Sequence, residues 1–157
     1  MKKWLLRIGL VVLVVYVGLL LAVPRLSPRP EGLGVNNSQL KPCPGTPNCV
    51  STQSTSDNAY EKRQAIALQP GESAEVAMKK LIDIIEKMPR TIIIEQKPDY
   101  LYAEFRTFAM RYIDDVEFYV DAQQNVIHYR SASRLGRSDL GVNGKRMDEI
   151  VATYNEQ

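Results

Sequence analysis

The sequence has a single histidine, His128, and only two cysteines in 157 residues. A structural zinc site draws four nitrogen or sulfur ligands, so these side chains cannot complete one and no metal is expected. Charge of one sign is lacking too, since 20 basic residues stand against 18 acidic ones for a formal net charge of +2. That balance excludes a general nucleic-acid binder, which needs a strongly basic surface. Any electrostatic recognition must be local. No GxSxG nucleophile elbow occurs, and the glycines Gly136, Gly141 and Gly144 do not make a phosphate-loop pattern ahead of Lys145. There is no internal repeat. No motif names a reaction, and neither a catalytic residue nor a cofactor is expected.

One long apolar run is present. Residues 4–23, WLLRIGLVVLVVYVGLLLAV, are interrupted only by Arg7, and as a helix they would extend about 30 Å, the thickness of a bilayer core. Arg7 lies near one end, where its head can snorkel to the interface. Residues 1–23 are therefore predicted to be a transmembrane anchor. A cleaved signal peptide is the alternative, but LLLAVPRLSP offers no small-x-small site before Pro24 and no cysteine for lipid attachment. Lys2, Lys3 and Arg7 precede the run and Arg25 and Arg29 follow it, a mild bias toward a cytoplasmic N-terminus.

Residues 24–47 hold six of the nine prolines and no apolar periodicity, which predicts an extended tether and loop. The cysteines fall at its end, in PCPGTPNCVSTQ. An even count in a short exported domain reads as a disulfide between Cys43 and Cys49. Free or exchanging thiols are the alternative; the spacing is neither the redox CxxC nor a zinc knuckle.

Residues 48–157 are predicted to form one α+β domain, an antiparallel sheet of four or five strands covered by two helices. Residues 65–68 could be a short first strand. Ser73 is an N-cap candidate, Glu75 suits the first turn, Pro89 closes the segment, and Ala77, Leu81, Ile84, Ile85 and Met88 make one apolar stripe. Residues 91–97 and 100–107 alternate around a turn at Pro98 and Asp99, with Gln96 opposite Leu101, Ile94 opposite Ala103 and Ile92 opposite Phe105. The last helix is expected to begin at an N-cap Asn143, with Val142 and Met147 as a hydrophobic staple and Met147, Ile150, Val151 and Tyr154 facing inward.

Residues 112–121 and 126–133 both alternate, and the four residues between them suit a hairpin loop. With Val120 opposite Ile127, Glu117 falls across from Arg130 and Tyr119 across from His128. One face, with Val116, Phe118, Val120, Ile127 and Tyr129, is a core face. The other, with Asp115, Glu117, His128 and Arg130, joined by Tyr102, Glu104 and Arg106, is expected to be a wet, charged sheet surface. Asp114 has the parity of the apolar side, so it requires a cationic or hydrogen-bonding partner, for which Arg130, Arg134 and Arg146 are nearby. Lys145 and Arg146 oppose the dipole of the last helix, so an anion is expected beside them.

The blocks PCPGTPNCVSTQ, YLYAEFRTFAMRYIDDVEFYVD and VIHYRSASRLGRSDLGVNGKR, taken in order, resemble the domain-of-unknown-function family DUF1499 of bacteria and plastid-bearing organisms. The resemblance covers roughly residues 33–154. It implies that Asp114, Asp115, Glu117, Arg130, Ser131, Ser133, Arg134, Asp139, Gly141, Asn143 and Arg146 belong to the family's pattern, and it implies no activity. Where that pattern tends to carry an aromatic residue after Gly136, this chain has Arg137.

Three functional classes follow from these residues. The first is a non-catalytic interaction module of the cell envelope, presenting Tyr100, Tyr102, Glu104 and Arg106 to an envelope protein. It would sit in the bacterial inner membrane as a single-pass protein with its C-terminal domain outside the cytoplasm. The second is a small-anion site, for phosphate or carboxylate, at the N-terminus of the last helix, with Arg130, Arg134, Asn143, Lys145 and Arg146 around it and Asp114 and Asp139 alongside. The bland form of that site is a polar network in which Asp114, Asp115 and Asp139 neutralise the arginines. The third is a hydrolase using Ser131 or Ser133 with His128 and Asp114, although His128 and the serines point to opposite faces of one strand.

Overall fold

An apolar run broken only by Arg7, with no proline before Pro24, leaves nothing to break a helix, and α1 runs over Lys2–Arg25 in the computed structural model, which describes residues 2–157. It is long and apolar enough to cross a membrane, and most of its side chains touch no other element.

The remaining chain builds one antiparallel sheet from β1 (Cys49–Ser51), β2 (Ile66–Ala67), β3 (Thr91–Gln96), β4 (Tyr100–Arg106), β5 (Ile113–Asp121) and β6 (Val126–Ser133). The strand order is β1-β6-β5-β4-β3, and β2 pairs with the start of β6 on the same edge as β1. The sheet has six strands against the four or five expected: β2 falls within residues 65–68, and the addition is β1, which at three residues is too short for alternation to be read. Helices α2 (Ala74–Lys87) and α3 (Val142–Asn155) cover one face. Between them and the sheet lie Leu81, Ile85, Phe118, Ile127, Met147 and Tyr154, all fully buried. Ser73 caps α2 by accepting from the amide of Val76.

The central hairpin has the predicted register: Val120 faces Ile127, Tyr119 faces His128 and Glu117 faces Arg130. The neighbouring hairpin starts as predicted, with Gln96 opposite Leu101, and then departs. A bulge between Ile93 and Glu95 places Ile93, not Ile94, opposite Ala103, and Thr91, not Ile92, opposite Phe105. Ile93 thereby enters the main core, Ile94 joins a second cluster with Leu40, Tyr100 and Tyr102, and Ile92 is exposed. Three consecutive isoleucines carry no parity of their own, so a one-residue bulge decides which one faces inward.

The sheet face expected to be wet is buried. Tyr100, Tyr102, Glu104, Asp115, Glu117, His128 and Arg130 are each at most 8% exposed. Of residues 24–47, read from sequence as a tether leading into a loop, the part from Ser27 to Leu40 lies across this face: Arg134 donates to the Ser27 carbonyl, Leu40 packs on Tyr100 and Tyr102, and the Gly34 amide donates to Glu117 at 2.8 Å. Charges can be covered in this way because each finds a partner there. The sheet is a middle layer, with helices on one side and the chain's own linker on the other.

Candidate functional site

Arg134 follows β6 and turns back over the polar face. Its guanidinium donates to Asp115 at 3.0 and 2.7 Å, to Glu104 at 2.5 Å, to the Tyr102 hydroxyl at 2.9 Å and to the Ser27 carbonyl at 3.1 Å. Burial works against the charge of Arg134, but the hydrogen bonds to Asp115 and Glu104 outweigh it and raise its pKa above the ordinary arginine value. Glu104 shows the mirror case. Burial would raise its pKa, and the hydrogen bonds from Arg134 and Arg29 bring it below the usual carboxylate value. Arg29 reaches Glu104 from the linker at 2.9 Å and lies over the Tyr102 ring. On the same face Arg130 pairs with Glu117 at 3.2 Å, and the Tyr100 hydroxyl donates to that carboxylate at 2.9 Å.

A second network lies where β5 and β6 meet α3. Asp114, the carboxylate with the wrong parity, accepts from Arg146 at 2.6 Å and from the Ser133 hydroxyl at 2.5 Å. Arg146 also donates to Asn143 at 2.7 Å and to Ser131 at 3.1 Å, with its guanidinium over the Phe105 ring at 4.6 Å. The Asn143 amide group donates to the Asn48 carbonyl and to Ser133. Asn143 is thus not the helix cap. Gly141, with φ of 84°, occupies that position and provides no side-chain bond. Asp139 supplies it instead, accepting from the backbone amides of Gly141 at 3.0 Å and Asn143 at 2.7 Å and from the Tyr60 hydroxyl at 2.8 Å. Burial raises the Asp139 pKa less than these donors lower it, while Tyr60 is pushed up to about 12 by its own burial and by that carboxylate. The anion expected beside the start of the helix is part of the chain.

Of the sequence-predicted site residues, Asp114, Asn143 and Arg146 share one network, with Asp139 tied to it through the Asn143 amide; Arg130 and Arg134 lie on the opposite sheet face, and Lys145 is exposed. Arg130, Arg134 and Arg146 each have a carboxylate partner within 3.2 Å. A half-open cleft of about 210 Å³ beside α3 has Asp114 and Asp139 as its charged lining, so a free anion approaching there meets two carboxylates. The hydrolase set is not assembled. Ser133 bonds Asp114, whereas His128 bonds Thr52 at 3.2 Å and stacks on Tyr119, and burial lowers its pKa. Sequence reasoning missed Asn48, Tyr60, Ser27 and Arg29. Asn48 stands beside Cys49 in the first block, but nothing local marks the other three.

Cys43 and Cys49 form the expected disulfide, which closes the loop before β1. Among the described residues no cluster of histidine, cysteine, aspartate and glutamate could hold a metal ion. The family described as Protein of unknown function (DUF1499) matches residues 39–153. No curated protein and no solved structure matches the chain.

Proposed function

The chain belongs to the DUF1499 family of proteins of unknown function, and we propose that it is a single-pass inner-membrane protein whose domain, outside the cytoplasm, is a non-catalytic binding module of the cell envelope. The observation that carries this reading is the attachment of the linker to the buried polar face. Arg134 holds Ser27, Glu104 holds Arg29 and Glu117 holds Gly34, all within ten residues of the end of α1. A domain fastened so close to its apolar helix is not free to sample the volume around a flexible tether. It is carried at a set height and orientation, as suits a module that meets partners at the membrane surface.

Two further facts support the reading. A disulfide persists in an oxidising, non-cytoplasmic compartment. The arginines and carboxylates that could have done chemistry neutralise one another, so they serve as architecture.

The test is made on spheroplasts, whose outer membrane has been opened, and on the membranes prepared from them. Alkaline carbonate should leave the chain in the membrane pellet, an externally added protease should reach the domain, and a photo-crosslinker replacing Leu140, which is 89% exposed, should give a discrete protein adduct. A chain released by carbonate would overturn the anchor, and a domain shielded by the inner membrane would reverse the topology. Absence of any adduct from Leu140 and Val142 counts against the binding role.

A further inference from the structure

The loop between β4 and β5 is unlike the rest of the domain surface. From 105 to 113 it reads FRTFAMRYI, with no acidic residue. Phe108 at its tip is 83% exposed, and no folding requirement explains an aromatic ring in that position. Arg90 lies against the Phe108 ring at 5.7 Å, and Arg90, Arg106, Lys145 and Arg146, with Glu149 as the one carboxylate, border a groove of about 400 Å³ that Phe108 helps to wall. Arg90 and Arg111 both hold left-handed backbone, with φ of 59° and 55°, a conformation that non-glycine residues seldom adopt.

The loop also touches α1. The Tyr16 hydroxyl donates to the Ala109 carbonyl at 3.0 Å. Tyr16 stands nine residues before Arg25, the last residue of α1, which at helical rise is roughly 13 Å inside the helix end. A hydroxyl at that depth in an apolar span needs a partner, and it takes one from the loop. Whatever surrounds that part of α1 therefore also surrounds Phe108, Ala109 and Met110.

We propose that this loop is a membrane-docking surface: Phe108, Ala109 and Met110 enter the bilayer leaflet on the domain's side, and Arg90 and Arg111 bind the phosphates of anionic phospholipids. The inference rests on α1 being an anchor, as proposed above. Aromatic residues favour the interfacial zone, and arginine stems lie along apolar surface while their heads reach the phosphates. With α1 and this loop side by side in the leaflet, the domain is held at two adjacent points. The groove then faces the headgroup layer.

The experiment uses the full chain in phosphatidylcholine vesicles, with and without phosphatidylglycerol, in which part of the lipid is brominated on its acyl chains. Trp4 is the only tryptophan, so Trp4→Phe with Phe108→Trp gives a single reporter, and Trp4→Phe with Gln123→Trp, on the exposed β5–β6 turn, gives the control. The reporter at 108 should be quenched by brominated lipid and blue-shifted, while that at 123 should be unaffected. Phosphatidylglycerol should strengthen the quenching, and each of Arg90→Gln and Arg111→Gln should shift the ratio of docked to undocked loop by about fivefold. Equal quenching at 108 and 123 overturns the docking, and equal quenching with and without phosphatidylglycerol overturns the arginine–phosphate contact. Carbonate extraction of the same vesicles separates the two readings: a retained chain with an unquenched reporter defeats the loop alone, and a released chain defeats the anchor as well.

Discussion

Arg134 makes more hydrogen bonds than any other side chain in the buried networks, and its environment states what it is for. Two carboxylates, a phenol and a backbone carbonyl converge on the planar guanidinium of a side chain that is 5% exposed. Removing one member of such a cluster leaves the others charged and dry, so Arg134→Met should cost about 3–5 kcal/mol of stability in urea unfolding. Arg134→Lys should recover little of it, since a point charge cannot reproduce the fork of contacts. An unchanged midpoint for either variant would mean that the face is open to water.

The titration of single residues gives a second expectation. His128 has its pKa lowered by burial, so the unfolded state binds more protons below its ordinary value of 6.5. Stability should therefore begin to fall as pH drops below about 6.5. Glu104 and Asp139 have lowered folded pKa values against ordinary values of 4.5 and 3.8. Their contribution is complete above those values and is lost as pH falls through the folded ones. Acid unfolding should thus show an early shoulder that His128→Gln removes, followed by a steeper loss below about pH 4.5 that it does not. A single transition identical in both proteins would contradict the burial of His128.

At the scale of an element, α3 shows why a cap is hard to read. Asn143 has the chemistry of an N-cap and stands in the right place, but its amide is held by Ser131, Ser133 and Asn48 from the sheet. Asp139, four residues earlier, takes over the free amides of the first turn. Asp139→Ala should lower stability by about 1–2 kcal/mol, measured by urea unfolding. Because that carboxylate already fills the anion position, titration with inorganic phosphate should leave the amide resonances of Gly141 and Asn143 unmoved. Saturable shifts at both would revive a small-anion site there.

Across the whole molecule, the disulfide and the linker act on the same layer. The disulfide sits at the start of β1, and the chain before it crosses the polar face. Cys43→Ser with Cys49→Ser should destabilise the domain by about 2 kcal/mol, as expected for a short closed loop. Alkylation without prior reduction should leave the mass of the native protein unchanged.

Much of this architecture was legible without coordinates. The apolar run of α1, the stripe and cap of α2, the β5–β6 register and the inward face of that hairpin follow from local periodicity, and the disulfide from cysteine count and context. The need of Asp114 for a partner was legible from parity, although the choice of Arg146 was not. The bulge at Ile94, the strand β1 and the pairing of both short strands with β6, the cap by Asp139 and the cover over the polar face came only with tertiary structure. Alternation states which side chains share a face of a strand, but not what lies on top of that face. Arg134 meets Ser27 across 107 residues and Arg29 meets Glu104 across 75. Pairings at that distance leave no local trace in a sequence, and they alone make it possible to bury a charged sheet face instead of leaving it in water.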